Sequence, residues 1–482
     1  MSEKKESSVL LNAVFNFIKA FMTLLFPLIT FPYASRILHP EGIGKVNFAS
    51  SIISYFIVLS ELGIAKYAIR EIPKIKSDRK LLSKFTRELY IISSISFLIS
   101  YILFVLALIF IPRLRNDKLL LLICSTKIFF DTFGIEWFYN GLEKFKYISI
   151  RSVIFQFASL FYLFIFVHSE NDYIHYAIFG LILGTLSNVS NIILLPKYID
   201  FNLDVKIELR KHFKFIFFFF GMTIATSLYE ILDTSMLGFL STEREVGLYS
   251  AGIKLNRMSV EVLTAICAVF LPRLSKYFSE NSEDKFYGLI DKGIKIFIIL
   301  GFPIMTGIFL LSKPLVLLFF GDSFINAIYP MRIVSPIIIF ISISNLLSAQ
   351  VFPAINKEKI SLFTYITAAC FNIIMNFLLI PKYGASGAAI STLLAEFVAF
   401  IIPCFILRRC FFTKSQLVNL VQTVVSTGII CIPILVILKY INNGILQILI
   451  SIISSIFIYG FCLFMFKNSL FYEFVGKLFR RK

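Results

Sequence analysis

Apolar runs of about twenty residues alternate with short polar connections along almost the whole chain, and about twenty mostly apolar residues in a helix cross the ~30 Å hydrocarbon layer of a bilayer. Fourteen segments meet that condition, approximately residues 12–32, 46–68, 89–111, 118–139, 147–167, 174–195, 213–238, 247–270, 295–319, 327–352, 360–380, 385–407, 417–438 and 444–466. The longest breaks, 69–88, 196–212 and 271–294, are too short for a folded soluble domain. Continuous apolar runs also exclude a β-barrel, whose strands would alternate in polarity over ~10 residues. The pattern predicts an all-α polytopic membrane protein with fourteen transmembrane helices.

Composition agrees with the pattern. The 482 residues are 58% hydrophobic and 16% charged, with mean hydropathy +0.84, whereas a soluble domain is typically ~25% charged. The net charge is +18, which in a soluble protein would suggest nucleic acid. Here the placement of the charges is more informative. Threading fourteen spans from a cytoplasmic N-terminus puts 31 Lys and Arg in the inner connections and termini and 8 in the outer connections. Basic residues collect on the cytoplasmic side of membrane proteins, so both termini are expected there. A miscounted span would invert every later loop and blur the contrast. Met1-Ser2-Glu3-Lys4-Lys5-Glu6 and the poor cleavage site at Ala34-Ser35-Arg36 predict that the first helix is retained.

Charges inside the apolar runs are the candidate functional residues, because an unpaired charge near the bilayer centre costs at least ~2.5–3.5 kcal/mol and usually faces a bundle interior or an aqueous cavity. Lys19 lies in span 1 and Glu61 in span 2. Span 4 carries Lys127, Asp131 and Glu136. Lys127 and Asp131, four apart on one helical face, can neutralise each other as a structural pair or serve transport. Glu230 and Asp233 lie toward the outer end of span 7. Lys254, Arg257 and Glu261 recur at i, i+3 and i+7 on span 8, a polar stripe that predicts a cavity more than simple packing. Arg332 stands near the outer mouth of span 10, and Glu396 near the middle of span 12.

Other chemistries find little support. The seven cysteines lie in or beside apolar stretches without CxxC spacing, and His39, His168, His175 and His212 are scattered, largely at loop positions. Neither set makes a metal site. There is no GxxxxGK[ST] phosphate loop and no repeated channel filter, so the chain is neither a self-contained nucleotide-driven pump nor an ion channel. Pro27 and Pro32 in span 1, and Gly301, Pro303 and Gly307 in span 9, are sites of bending or of fixed irregularity.

An internal echo suggests duplication. Gly42-Ile43-Gly44-Lys45-Val46-Asn47-Phe48-Ala49 opens span 2, and Glu245-Val246-Gly247-Leu248-Tyr249-Ser250-Ala251-Gly252 opens span 8. A parallel repeat of spans 1–6 as 7–12 would make these two external turns equivalent. The expected divisions are residues 1–212, residues 213–410, and two additional helices with a tail over 411–482.

Several strings carry a family resemblance. They are Phe31-Pro32-Tyr33-Ala34-Ser35-Arg36-Ile37-Leu38-His39-Pro40-Glu41-Gly42-Ile43-Gly44, Glu61-Leu62-Gly63-Ile64 with Arg70-Glu71-Ile72, and Gly134-Ile135-Glu136-Trp137-Phe138-Tyr139-Asn140-Gly141. Asp233-Thr234-Ser235-Met236-Leu237-Gly238, Leu271-Pro272-Arg273-Leu274-Ser275 and Asn376-Phe377-Leu378-Leu379-Ile380-Pro381-Lys382-Tyr383-Gly384 continue them in order. The sequence resembles the Wzx-like polysaccharide biosynthesis or oligosaccharide flippase family, in the superfamily that also holds multidrug and toxin extrusion proteins. The resemblance spans about residues 10 to 410. Thr234 departs from the family pattern, in which lysine often follows the aspartate, and Asn140 stands where glutamine is common.

The resemblance implies two six-helix lobes in a V around a central cavity, with two peripheral helices. It also implies non-enzymatic flipping of polyprenyl-diphosphate-linked oligosaccharide units to the outer leaflet of a bacterial cytoplasmic membrane, for surface polysaccharides such as O-antigen. Polymerase and glycosyltransferases are the implied further partners, alongside membrane lipids; neither nucleic acid nor a cofactor is expected, and coupling to a proton or sodium gradient is open. On this reading Lys19, Lys254 and Arg257 can compensate the diphosphate. The alternatives are a cation-coupled multidrug exporter of related fold, with Glu61, Asp131, Asp233, Glu261 or Glu396 carrying a proton, and a non-transporting membrane scaffold.

Overall fold

The computed structural model describes residues 2–200, 206–408 and 413–473; within its helices, the side chains of residues 2–21, 24, 222, 225, 226, 228–230 and 268 lie outside the description. Lys19 and Glu230 therefore fall outside the described side chains, and Cys410 outside the described residues. Everything regular among the described residues is helical.

Two compact units divide the chain at Gly247 and Leu248. The first contains α1 (Ser2–Glu61), α2 (Ile64–Ile75), α3 (Arg79–Phe110), α4 (Lys118–Phe133), α5 (Glu136–Gly141), α6 (Phe145–Phe166), α7 (Glu170–Lys197) and α8 (Arg210–Leu240). Helix α9 (Glu243–Ala265) starts at its end. The second continues with α10 (Phe270–Ser279), α11 (Glu283–Leu310), α12 (Ile337–Ala354), α13 (Glu358–Ile406), α14 (Lys414–Tyr440) and α15 (Gly444–Met465). Helix α8 packs on α1 and α2 and is grouped with the first unit.

Nine helices among the described residues are long and apolar enough to cross a membrane, or ten if α9 and α10, bent by 40°, count as one span. The chain is a multi-pass membrane protein. The fourteen apolar runs do not form fourteen separate helices, and the causes are local. At 1.5 Å per residue, α1 is about 90 Å long and α13 about 74 Å, each well over two bilayer cores. Each contains one non-helical residue, His39 (φ 54°, ψ 178°) and Gly384 (φ 52°, ψ −127°). His39 precedes Pro40, which clashes with a helical conformation at the residue before it yet is well suited to start the next helix. Predicted span 4 is cut by Ile135 at φ 40°, leaving α4 with 16 residues.

The helices obey inverted packing. On α3, Ser83, Thr86, Ser93, Ser96 and Ser100 are buried on one face, while Ile95, Leu98, Ile99 and Ile102 are exposed. Small polar residues let membrane helices approach and bond across the contact. The Ser100 hydroxyl donates to the carbonyl of Phe56 at 2.6 Å, and Ser60 and Thr132 share a hydroxyl hydrogen bond at 2.5 Å. Caps close the helix starts: the Asp78 carboxylate accepts from the amides of Lys80 and Leu81, and Asn443 likewise caps α15.

Candidate functional site

The first unit gathers charges from three predicted spans. Glu61, the last residue of α1, lies within electrostatic range of both Lys127 and Asp131 on α4. Asp131 in turn senses Lys127 and Glu136. All four are half-buried. The expected Lys127–Asp131 neutralisation is thus part of a wider group.

Sequence reasoning named Glu136 without its partner, Arg151 on α6. Arg151 is 5% exposed and donates through Nη2 to a Glu136 carboxylate oxygen at 2.8 Å. A single arginine in an otherwise apolar span was the available signal. Glu136 reaches it because the left-handed Ile135 redirects the chain between α4 and α5.

The two turns singled out by the internal echo meet. A Cβ built on Gly44 would fall on the carbonyl oxygen of Glu243, and one built on Gly247 would fall on that of Pro40. Only hydrogen at both positions allows the starts of two helices to approach so closely. The Arg113 guanidinium pairs with Glu243 at 2.7 Å and donates to the Gly238 carbonyl at 3.1 Å, while Arg244 pairs with Glu41 at 3.0 Å. Phe48 lies edge-on to Phe239 at 5.3 Å and fills the space a side chain at Gly238 would need. Asp233 is buried, and its charge is felt by Tyr55, whose hydroxyl is 2.6 Å from that of Ser235. Backbone, ion pairs and aromatic rings together form a seam at this end of the first unit.

In the second unit, Lys254 and Arg257 are half-buried on α9 and Glu261 is exposed. Lys254 lies in the electrostatic range of Glu261. Arg332 bonds to the end of α11 rather than to this stripe. Its Nε donates to the Ser312 hydroxyl at 2.7 Å and the Phe309 carbonyl at 3.3 Å, and its guanidinium lies 5.6 Å from the Phe309 ring centre. Those contacts fasten the end of α11. Glu396 is buried on α13 within electrostatic range of Tyr365.

Neutral polar pairs in the second unit were not anticipated. Asn376 donates to the Asn372 side-chain oxygen at 2.9 Å, and the hydroxyls of Tyr249 and Thr392 lie 2.9 Å apart. Amides and hydroxyls stand out less from an apolar run than charges do.

No group of three or more His, Cys, Asp or Glu among the described residues is arranged to hold a metal ion. What the fold and these sites define is an α-helical, multi-pass membrane transporter, with ionisable groups inside its helices and a tightly fitted seam between two helix starts.

The comparisons make the assignment specific. The family model described as "polysaccharide biosynthesis protein" matches residues 9–278, and a model described as "MatE" matches residues 219–378. The chain belongs to the polysaccharide biosynthesis protein family. It is similar to a putative O-antigen transporter of Escherichia coli (strain K12), 27% identical over 379 residues that cover 77% of this chain and 90% of the relative. It is also similar to the capsular polysaccharide biosynthesis protein CapF of Staphylococcus aureus, 25% identical over 387 residues, with 77% and 92% covered. Among solved structures, the lipid II flippase MurJ in an inward closed conformation matches with TM-score 0.73 and 18% identity, covering 97% of this chain and 99% of that one. An inward-facing multidrug resistance transporter of the MATE family matches with TM-score 0.59 and 15% identity, covering 84% and 99%. These structural likenesses concern the fold.

Proposed function

We propose that the chain is a flippase, moving polyprenyl-diphosphate-linked oligosaccharide units from the inner to the outer leaflet for surface polysaccharide synthesis. It is a transporter and not an enzyme, since translocation makes and breaks no bond. The observation that carries the reading is the family match across residues 9–278, supported by the O-antigen transporter relative.

The finer architecture belongs to the same proposal. Two spans in α1 and two in α13, divided at His39 and Gly384, together with crossings by α4 with α5, α8, and α9 with α10, restore fourteen. Residues 1–212 and 213–410 then form two equivalent lobes around a V-shaped cavity, with 411–482 peripheral and both termini cytoplasmic in a bacterial inner membrane. Single-cysteine labelling in the 168–173 loop and at the C-terminus should report opposite faces; labelling of both from one side would reject the count.

On that topology the Gly44–Gly247 seam lies outside and closes the outer side of the cavity. Lys254 and Arg257, assisted by Lys19, attract the diphosphate. Glu61, Lys127, Asp131, Glu230, Asp233, Glu261, Arg332 and Glu396 are further translocation candidates, the carboxylates being those available to couple a proton or sodium gradient. Polymerase and glycosyltransferases would act on either side of the step.

The test is flipping by the purified chain in lipid vesicles. A diphosphate-linked glycan should become accessible on the far leaflet, whereas a hydrophilic cationic drug should not accumulate. Drug transport without glycan flipping would favour the exporter reading, and neither activity would favour a scaffold.

A further inference from the structure

A second buried polar network in the first unit lies apart from the charges described above. Glu88 on α3 is 0% exposed. It accepts from Nε2 of His212 at 2.8 Å and from the backbone amide of Glu208 at 2.8 Å, and pairs with Nζ of Lys211 at 3.0 Å. Lys84, also on α3, has its Nζ 3.9 Å from Glu88 and 3.6 Å from Glu208. His212 sits on the first turn of α8 and is 2% exposed, not at the loop position its sequence neighbourhood suggested. Its Nδ1 is 2.9 Å from the hydroxyl of Tyr67 on α2. The Tyr67 ring stacks on Phe215 of α8 at 5.6 Å and lies 5.7 Å from Phe85 of α3.

The donors can be assigned. An ionised carboxylate only accepts, so Nε2 of His212 carries a proton. With a neutral ring, the Tyr67 hydroxyl donates to Nδ1, and the chain Tyr67 to His212 to Glu88 uses each donor once.

Holding three helices together does not require this arrangement. Taking a carboxylate fully out of water costs several kcal/mol even after relaxation, and well-packed apolar residues often serve stability as well or better. The network supplies position instead. Donors from the 208–212 segment converge on one oxygen pair, while Tyr67 fixes the imidazole from the other side, so few placements of the α8 start satisfy all of them.

The other end of α8 is also fastened to the first unit. Tyr55 of α1 meets Ser235, Phe48 covers Gly238, and Arg113 holds the Gly238 carbonyl. The boundary between compact units follows this helix, at Gly247 and Leu248.

We propose that Glu88, His212 and Tyr67 are positioning residues for translocation, fixing the first turn of α8 against α2 and α3 in the state seen here. The functional consequence rests on the flippase reading; the positioning does not.

The experiment uses the full chain in vesicles, with rates normalised to folded, inserted protein. Tyr67→Phe keeps the ring stack and removes only the hydroxyl, so it tests the relay even where Glu88→Gln fails to fold. Tyr67→Phe and His212→Gln should each lower the maximal flipping rate about fivefold, the size of one lost net hydrogen bond, with the half-saturating lipid concentration unchanged. Because the two act through one relay, the double variant should be no slower than the slower single variant. Amide exchange across 206–219 should rise in both single variants. Wild-type maximal rates, or unchanged exchange at 206–219, would overturn the proposal even if thermal stability fell. If the unsubstituted chain moves no glycan lipid, the flippase reading fails. The exchange measurement then decides the positioning alone: a rise supports it and no rise rejects it.

Discussion

Neutralising Lys254 and Arg257 together, as Lys254→Gln with Arg257→Gln, should slow flipping of a diphosphate-linked glycan about a hundredfold. The two cations lie one turn apart on α9, half-buried, and Glu261 one turn further along is exposed. Hydrogen bonds to charged groups are worth ~1.5–3 kcal/mol each, and two at the lower end make ~3 kcal/mol, about two powers of ten. A fixed cation also spares the substrate part of the cost of carrying its diphosphate through a low-dielectric layer. Arg257→Lys should retain more activity than Arg257→Gln while losing the two-pronged geometry that suits phosphate oxygens. The measurement is initial flipping rate per inserted molecule, at several ionic strengths. A normal rate in the double variant would reject the electrostatic site and leave the family assignment intact.

Gly44→Ala should be the most damaging single change at the Gly44–Gly247 seam. The added methyl would meet the backbone of Glu243, which cannot rotate away as a side chain can. Overpacking costs typically ~1–3 kcal/mol where neighbours can adjust, so a rigid backbone contact should lie toward or beyond the upper end. With the Arg113–Glu243 and Arg244–Glu41 pairs prised apart as well, the seam should fail to close. A reporter introduced as Ser51→Cys, at a buried position on α1 near the seam, should then become several-fold more reactive to an external thiol reagent. Flipping should fall about tenfold or more, since alternating access needs both closed states. Gly307→Ala is the control: a Cβ there meets nothing within 4 Å, and the substitution should leave both readouts near wild type. Unchanged reactivity and rate in Gly44→Ala would remove the seam from the mechanism.

What could be read in advance differs between neighbouring residues for physical reasons. Glu61, Lys127 and Asp131 were evident because a charge in an apolar run is improbable wherever the helix points. Arg151 is equally charged and 5% exposed, but its importance depends on Ile135 redirecting Glu136 toward it. His212 carried no useful local signal. A histidine before a phenylalanine run reads as a loop residue until α3 brings Glu88 to 2.8 Å. Arg332 shows the reverse case, conspicuous in sequence but bound to Ser312 and Phe309 at the end of a neighbouring helix.

By itself the sequence determined the membrane class, the approximate positions of the apolar crossings, the inventory of intramembrane charges and the family strings. These are local properties, because partition into hydrocarbon is summed over about twenty consecutive residues whatever lies beside them. Tertiary structure alone decided which groups meet. Gly44 with Glu243, Glu88 with His212, and Glu136 with Arg151 are pairings between different helices, and they depend on how each helix is rotated about its axis and which neighbour it packs against. It also grouped α8 with the helices before it, through its contacts with α1 and α2. Hydropathy averages over the circumference of a helix. A hydrogen bond at 2.8 Å depends on one direction from it.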